Sequence, residues 1–240
     1  TAWMRTPYPD SDGYCGYPTI SEEDIFSALE KAWKNGMQLL AHCNGDAACA
    51  QYLSCIDAFE EKFFSFKELR PVMIHSQFLD YDQLDLVKKL SVIPSFFAAH
   101  VYHWGDTHIQ NFGFSRASRI SPAASSLKKE ILFTFHQDAP VIEPDMIETV
   151  WCAANRKTKD GILLGAQEQL PVLEALKAVT THAAYQYFEE EQKGSIAPGK
   201  FADFVILSDN PLEIEKENLR SIKVCHTIKQ DRIIYSSSEN

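Results

Sequence analysis

Three short apolar runs, each closing on a side chain able to bind a metal ion, constrain this sequence more than any other feature. Met37-Gln38-Leu39-Leu40-Ala41 leads into His42, Pro71-Val72-Met73-Ile74 into His75, and Ile131 to Gln137 into Asp138. His75 follows His42 by 33 positions and Asp138 follows it by 96, which is three steps of 32 if one more strand intervenes. A (β/α)8 barrel of ~250 residues has about 31 residues in each strand–helix unit and carries its chemistry where the strands end. The spacing therefore predicts successive parallel strands that deliver ligands to one mouth. Val92 to Ala99 supplies the intervening strand. It runs into His100-Val101-Tyr102-His103-Trp104-Gly105-Asp106, whose histidines, aromatic pair and carboxylate suit a substrate-facing loop.

The segments between these strands carry helix signals. Residues 1–19, with Pro7, Pro9, Gly13, Gly16 and Pro18, read as loop. Ser21-Glu22-Glu23-Asp24 resembles a capping box with Asp24 in place of the usual Glu, and Ile25, Phe26, Leu29, Ala32 and Trp33 follow at helical spacing up to the stop at Gly36. Further helices are predicted from Asp46 to about Lys62, Asp82 to Leu90, Pro122 to Lys129 behind a Ser121 cap, Pro144 to Ala154, Pro171 to Thr181 and Thr181 to Glu191. His103 to Ile120, punctuated by Gly and Asn, reads as a long functional loop. After Gln192 the pattern changes to short strands between turns at Pro198-Gly199 and Asn210-Pro211, with a hairpin over 222–235. The fold class is thus α/β, with four strand–helix units of a barrel over residues 1–191 and a small all-β part over 192–240.

Composition narrows the partners. With 45% hydrophobic residues in 240, the chain can bury a substantial core. A formal charge of −10, from 33 acidic and 23 basic residues, argues against nucleic acid and against an anionic membrane surface. No apolar run reaches membrane-spanning length, and the first residues carry no signal-peptide pattern. Six cysteines without a C-x-x-C pair fit a reducing, cytoplasmic compartment. Cys43, Cys49 and Cys55 fall far apart around a helix and read as small buried side chains. Cys43 beside His42 does not form a thiol–imidazole pair, because neighbouring strand residues face opposite sides.

A metal needs donors that converge, and adjacent parallel strands bring His42, His75 and Asp138 together. Imidazole with carboxylate suits zinc or a similar divalent ion. Such an ion lowers the pKa of its water and polarises a carbonyl, with Asp138 the natural proton acceptor. His100 and His103 read equally as substrate contacts or as loop histidines bonded to backbone. His136, two residues before Asp138, can share the inward face and support the ligands. His108, His182 and His226 read as structural.

These residues form a recognisable ordered set. His42-Cys43-Asn44-Gly45-Asp46, Arg70 through Gln77, His100 through Asp106, and His136-Gln137-Asp138-Ala139-Pro140-Val141 resemble, in that order, the second half of metal-dependent amidohydrolases. The branch that includes N-substituted formamide deformylases looks most similar. Lys193-Gly194-Ser195-Ile196 with Gly199 through Val205 is similar to the return of that family's chain into its small β-sandwich. The resemblance implies the C-terminal half of a (β/α)8 TIM barrel, strands 5 to 8, plus part of the sandwich. It implies His42 and His75 as ligands of one metal, and Asp138 as the carboxylate that binds a second metal or the attacking water. It further implies a pocket shaped by His100, His103 and Trp104 for a small amide or cyclic amide. The family's His-x-His on strand 1 and carboxylated lysine on strand 4 have no counterpart here, so the resemblance implies a portion inactive on its own. Ala47, where relatives often have Arg, and Gln230-Asp231, where Gly is common, depart from the pattern. A second reading is a non-catalytic half-barrel that assembles through its open sheet edges. Both readings expect the strands ending at His42 and Asp138 to be edges, covered by the rest of the polypeptide or by a second copy.

Overall fold

The alternation of strands and helices follows from the apolar runs and their caps. The computed structural model describes residues 2–63 and 65–237; Thr1, Phe64 and residues 238–240, parts of the predicted first loop and all-β tail among them, lie outside the described residues. The elements are α1 (Glu22–Lys34), β1 (Leu40–Cys43), α2 (Asp46–Glu60), β2 (Val72–His75), α3 (Leu84–Lys89), β3 (Ile93–Phe96) and α4 (His100–Phe112). They continue with α5 (Phe114–Ala117), α6 (Ala123–Lys128), β4 (Thr134–Phe135), α7 (Met146–Asn155), α8 (Val172–Val179), α9 (Thr181–Gln186), β5 (Phe204–Leu207), β6 (Val224–Lys229) and β7 (Arg232–Ser236).

The first four strands form one parallel sheet in chain order, with β1 and β4 at its edges. Parallel neighbours need a crossover, and the helices between the strands provide it. The register pairs Cys43 with His75, His75 with Phe96, and Phe96 with Phe135, so the C-terminal ends of all four strands are level. Buried Met73, Phe96 and Phe133 pack with Leu53, Ile56 and Phe59 of α2 and with Ala175 and Ala178 of α8 in one core cluster. Cys43, Cys49 and Cys55 are free and buried within it, as expected of small apolar side chains.

The N-terminal loop acts as a strap across the strand ends. Arg5 donates its backbone N–H to Asp46 Oδ1 at 2.8 Å and its Nε–H to Oδ2 at 3.2 Å, and its two Nη groups reach Asp80 and Asp82. Gly45 is required beneath it, because a Cβ there would lie 1.8 Å from the Trp3 carbonyl oxygen.

Three local expectations are corrected. The region His103 to Ile120 is not a loop: α4 covers its first part and ends at Gly113, whose φ of +73° terminates the helix. Gly105, which looked like loop punctuation, is buried, and a Cβ on it would meet Thr158 Cγ2 at 2.5 Å. Ser121 does not cap α6; it has φ +48°, its buried Oγ has no partner, and Pro122 occupies the cap position. The run Ile131 to Gln137 pairs only at Thr134 and Phe135. Capping of α1 does follow the sequence, with Ser21 Oγ accepting from the Asp24 N–H at 3.1 Å.

The remaining strands, β5 to β7, form an antiparallel sheet in chain order. Val205, Ile206, Ile233, Ile234 and Tyr235 are exposed on it. Among the described residues, no helix is long and apolar enough to cross a membrane.

Arg156, fully buried at the end of α7, holds the chain that follows α5. Its Nε–H donates to Leu164 O at 2.8 Å, and its Nη groups donate to Ile120 O at 2.9 Å and Ser121 O at 3.4 Å. Its charge is satisfied mainly by these carbonyls, and burial lowers its pKa to about 10. Replacing it strands two acceptors, Leu164 O and Ile120 O, each costing about 1–3 kcal/mol, while Ser121 O keeps the Ala123 N–H. Arg156→Met is expected to lower unfolding stability by about 3 kcal/mol, read as a reduced urea midpoint at unchanged slope.

Candidate metal centre

At the level ends of the strands, the backbone turns through conformations that side chains rarely adopt. His75, Ser76 and Asp138 have φ of 68°, 46° and 52°. Non-glycine residues in this region are uncommon, and they gather at functional sites where surrounding structure holds them. These turns aim His75 and Asp138 into the same space.

His75, His136 and Asp138 form a group of donors whose ligating atoms all lie within 4.8 Å of one another. His75 Nε2 stands 4.0 Å from Asp138 Oδ2. His136 Nε2 lies 3.1 Å from His75 Nδ1, and His136 Nδ1 lies 2.9 Å from Ser95 Oγ on β3. When Ser95 accepts from His136 Nδ1–H, His136 Nε2 accepts from His75 Nδ1–H, and a lone pair is left on His75 Nε2 facing the carboxylate. Two bonds of about 2.0–2.1 Å meeting at a tetrahedral angle set their donors about 3.4 Å apart, so this donor set fits a divalent ion once His75 and Asp138 close by about half an ångström. His136 joins it by exchanging its bond to His75 for the ion, while Ser95 holds the far side of the ring as outer partners of ligating histidines do.

The structure places each predicted residue as follows. His42, one position before the end of β1, lies outside this donor group, with its ring edge against His75 at a centroid separation of 4.5 Å. His100 opens α4, its ring 4.5 Å from Phe97 and 4.7 Å from Trp104. Phe97 bridges that aromatic group to His136 at 5.5 Å. His103 turns aside, its Nε2 3.2 Å from Glu148 Oε2 on α7, and Glu148 Oε1 accepts from Arg220 at 2.9 Å. His136 enters the donor group itself, where the sequence placed it only as support. Strand alternation does not account for this, because β4 ends at Phe135 and Asp138 lies beyond it with φ of 52°. His108, read as structural, contacts His100, with its Nε2 3.1 Å from His100 Nδ1.

Burial decides the protonation of these imidazoles. Desolvation, followed by the neighbouring histidines, pushes His100 down to about 3. Burial pushes His108 and His136 down to about 4, and it lowers His75 as well. All therefore present neutral rings at neutral pH, the form that binds metals.

Residues 1–235 match the amidohydrolase family. This chain belongs to the amidohydrolase family. It is 28% identical to the Bacillus subtilis (strain 168) protein named as amidohydrolase YtcJ, over 99% of this chain and 45% of that protein. It is 23% identical to the N-substituted formamide deformylase of Arthrobacter pascens, over 89% of this chain and 39% of the relative. Its fold matches the crystal structure of an uncharacterized metal-dependent hydrolase from Pyrococcus horikoshii OT3 with a TM-score of 0.77 at 24% identity, covering 90% of this chain and 43% of that one. The amidohydrolase chain thus spans less than half the length of the relatives it matches.

The neutral cluster has a consequence for stability. In the unfolded chain a histidine protonates near pH 6.5, whereas the folded His100, His108 and His136 stay neutral to about 3–4. Between those values the unfolded state binds more protons, so stability rises with pH and is lost as pH falls from about 6.5 toward 4. Each fully neutral imidazole contributes a slope of up to about 1.4 kcal/mol per pH unit in that window. Urea midpoints at pH 7.5, 6.0 and 5.0 are expected to be level above pH 7 and to fall steeply below 6.5; a flat profile would contradict a buried neutral cluster.

Proposed function

We propose that this chain is the C-terminal half of a (β/α)8 barrel with part of a small β-sandwich, from a metal-dependent hydrolase that cleaves a C–N bond in a small amide or cyclic amide. Residues 1–191 form barrel strands 5 to 8 in this reading and 192–240 belong to the sandwich. The observation that carries it is the group of His75, His136 and Asp138 at the level C-terminal ends of parallel strands, where barrel enzymes hold their chemistry. The family membership and the deformylase relative support the class of bond.

In this reading the metal is zinc, one or two ions in the complete protein, held by His75, His136 and Asp138, with His42, whose ring lies against His75, joining them from the end of β1. Bound metal supplies polarisation of a carbonyl and an acidified water. The chain's own residues do the rest. Asp138, half-exposed at the mouth, accepts the proton of the attacking water. Ser95 Oγ anchors the far nitrogen of His136 and holds that ring beside His75. His100 and Trp104 wall the substrate side with Phe97 behind them, and His103, held by Glu148, supports the Trp104 ring from the far side.

Zinc uptake tests the donor set without any substrate. Equilibrium dialysis with elemental analysis is expected to give weak zinc binding by this chain, and Ser95→Ala is expected to weaken it by about 10–100-fold, the usual cost of losing an outer partner. Zinc binding untouched by both Ser95→Ala and His75→Gln would sink the assignment.

The edges β1 and β4 and the apolar surface of β5–β7 call for a cover, in our reading the rest of the polypeptide or a second copy. Sedimentation at micromolar concentration is expected to show self-association of the isolated chain. A stable monomer with cooperative unfolding would count against the open half-barrel.

A further inference from the structure

Two histidines that the metal reading does not use as ligands, His100 and His108, share a hydrogen bond, and a buried glutamine sits beside them. His100 Nδ1 lies 3.1 Å from His108 Nε2, and Gln77 Nε2 lies 3.5 Å from the same His108 nitrogen. Gln77, in the turn that follows β2, is buried, and its Oε1 has no partner. His108 Nδ1 is likewise buried without a partner. The His108 ring is packed among Phe78 at 5.8 Å, Phe112 at 5.9 Å and the stacked ring of His100 at 5.3 Å.

With the Gln77 amide turned so that its Nε2 faces His108, the proton positions follow. An amide nitrogen can only donate, so with Gln77 Nε2 facing it His108 Nε2 must carry a lone pair. Its own proton then sits on the orphaned Nδ1. His100 Nδ1 meets that same lone pair and must be the protonated nitrogen of its ring. The other nitrogen of His100, Nε2, is therefore bare. It has no hydrogen-bond partner among the described residues and, unlike His108 Nδ1, it is not sealed from solvent. Burial holds both rings neutral at working pH, so neither tautomer is lost to protonation.

We propose that His108 and Gln77 are positioning residues that lock His100 as its Nδ1–H tautomer, so that Nε2 offers the substrate pocket an acceptor for an N–H group, which selects amides carrying at least one hydrogen on nitrogen. His100 lies edge-on to Phe97 and tilted against Trp104, and Phe97 in turn packs against His136 of the donor group, so His100 belongs to the same wall of rings as the proposed ligands. The selection follows from the cost of an acceptor left unmet once a ligand has displaced the water in front of it: a site built to bond an N–H rejects the analogue that lacks it. The amide part of this proposal rests on the hydrolase reading above; the tautomer part does not.

Imidazole nitrogen-15 shifts of the chain labelled at histidine test the tautomer with no metal and no turnover. His100 is expected to show a protonated Nδ1 and an unprotonated Nε2 from pH 6 to 8. In His108→Phe, which keeps the ring volume among Phe78 and Phe112, His100 is expected to relax to the mixture of tautomers of a free imidazole. In His108→Gln, whose side-chain oxygen can accept from Nδ1–H, the wild-type pattern is expected to return. A proton found on His100 Nε2 in the wild-type chain, as would follow from the opposite rotation of the Gln77 amide, overturns the proposal. So does a His100 pattern indifferent to His108→Phe; should that variant not fold, the wild-type spectrum and His108→Gln still decide.

Titration with N-methylacetamide against N,N-dimethylacetamide then tests the selection. The first is expected to move the His100 Nε2 signal with at least a fivefold tighter apparent Kd than the second. Equal responses, or none, would remove the selection while leaving the tautomer result standing. Failed zinc binding with a locked His100 would instead fault the hydrolase reading alone.

Discussion

Parallel pairing of four very short strands is the constraint from which the rest of the molecule follows. The register that opposes His75 to both Cys43 and Phe96 leaves no freedom in which side chains face the mouth. A slip of β2 by one residue would place Ile74 where His75 stands and part His75 from Asp138 and His136. That register is held less by the strands' few hydrogen bonds than by what surrounds them. Met73, Val72, Ile93 and Phe96 are buried, and the Arg5 strap clamps the turn after β1 to the turn after β2 through Asp46, Asp80 and Asp82.

Much of this was legible in the sequence because it depends on local chemistry repeated at fixed spacing. The strands ending at His42 and His75, the Ser21 cap and the edge positions of β1 and β4 all follow from apolar runs and their punctuation. Misreadings occurred where one residue type serves two purposes. Gly105 reads as a helix breaker, yet inside α4 it is a close approach to Thr158 and Leu164, which only the packed structure reveals. Ser121 reads as a cap, yet the chain enters α6 through Pro122 while Arg156 holds the carbonyls of Ile120 and Ser121. The entry of His136 into the donor group needed the bond from Ser95, which lies 41 positions away and on another strand. Long-range pairings of this kind leave no periodic trace in a single sequence.

The interior of the mouth carries imidazole rings rather than charges, while the charges are kept at the rim. His42, His75, His100, His108 and His136 pack against one another and against Phe97, Trp104 and Phe78 in edge-on, tilted and stacked contacts. Buried rings of this kind act as aromatic walls with directed lone pairs, so their function depends on which nitrogen bears the proton. Around them, Arg5 with its three aspartates and Arg70 with Glu190 confine full charges to partly wet positions. There an ion pair adds only modestly to stability and organises the loops instead.

Glu148 joins the two sheets at one point. One of its oxygens meets His103 on α4, and the other takes Arg220, in the 3-10 segment Lys216–Ser221 that leads into β6. The same segment is tied to α7 by Trp151 Nε1–H donating to Glu217 O and Asn155 Nδ2–H to Lys216 O, and the Arg220 guanidinium lies over the Tyr102 and Trp151 rings. The carboxylate therefore behaves as a hinge pin. The antiparallel sheet cannot rotate against the parallel one without parting Glu148 from one of its two partners, so mechanical load on β6 and β7 is transmitted to the helix that begins at His100.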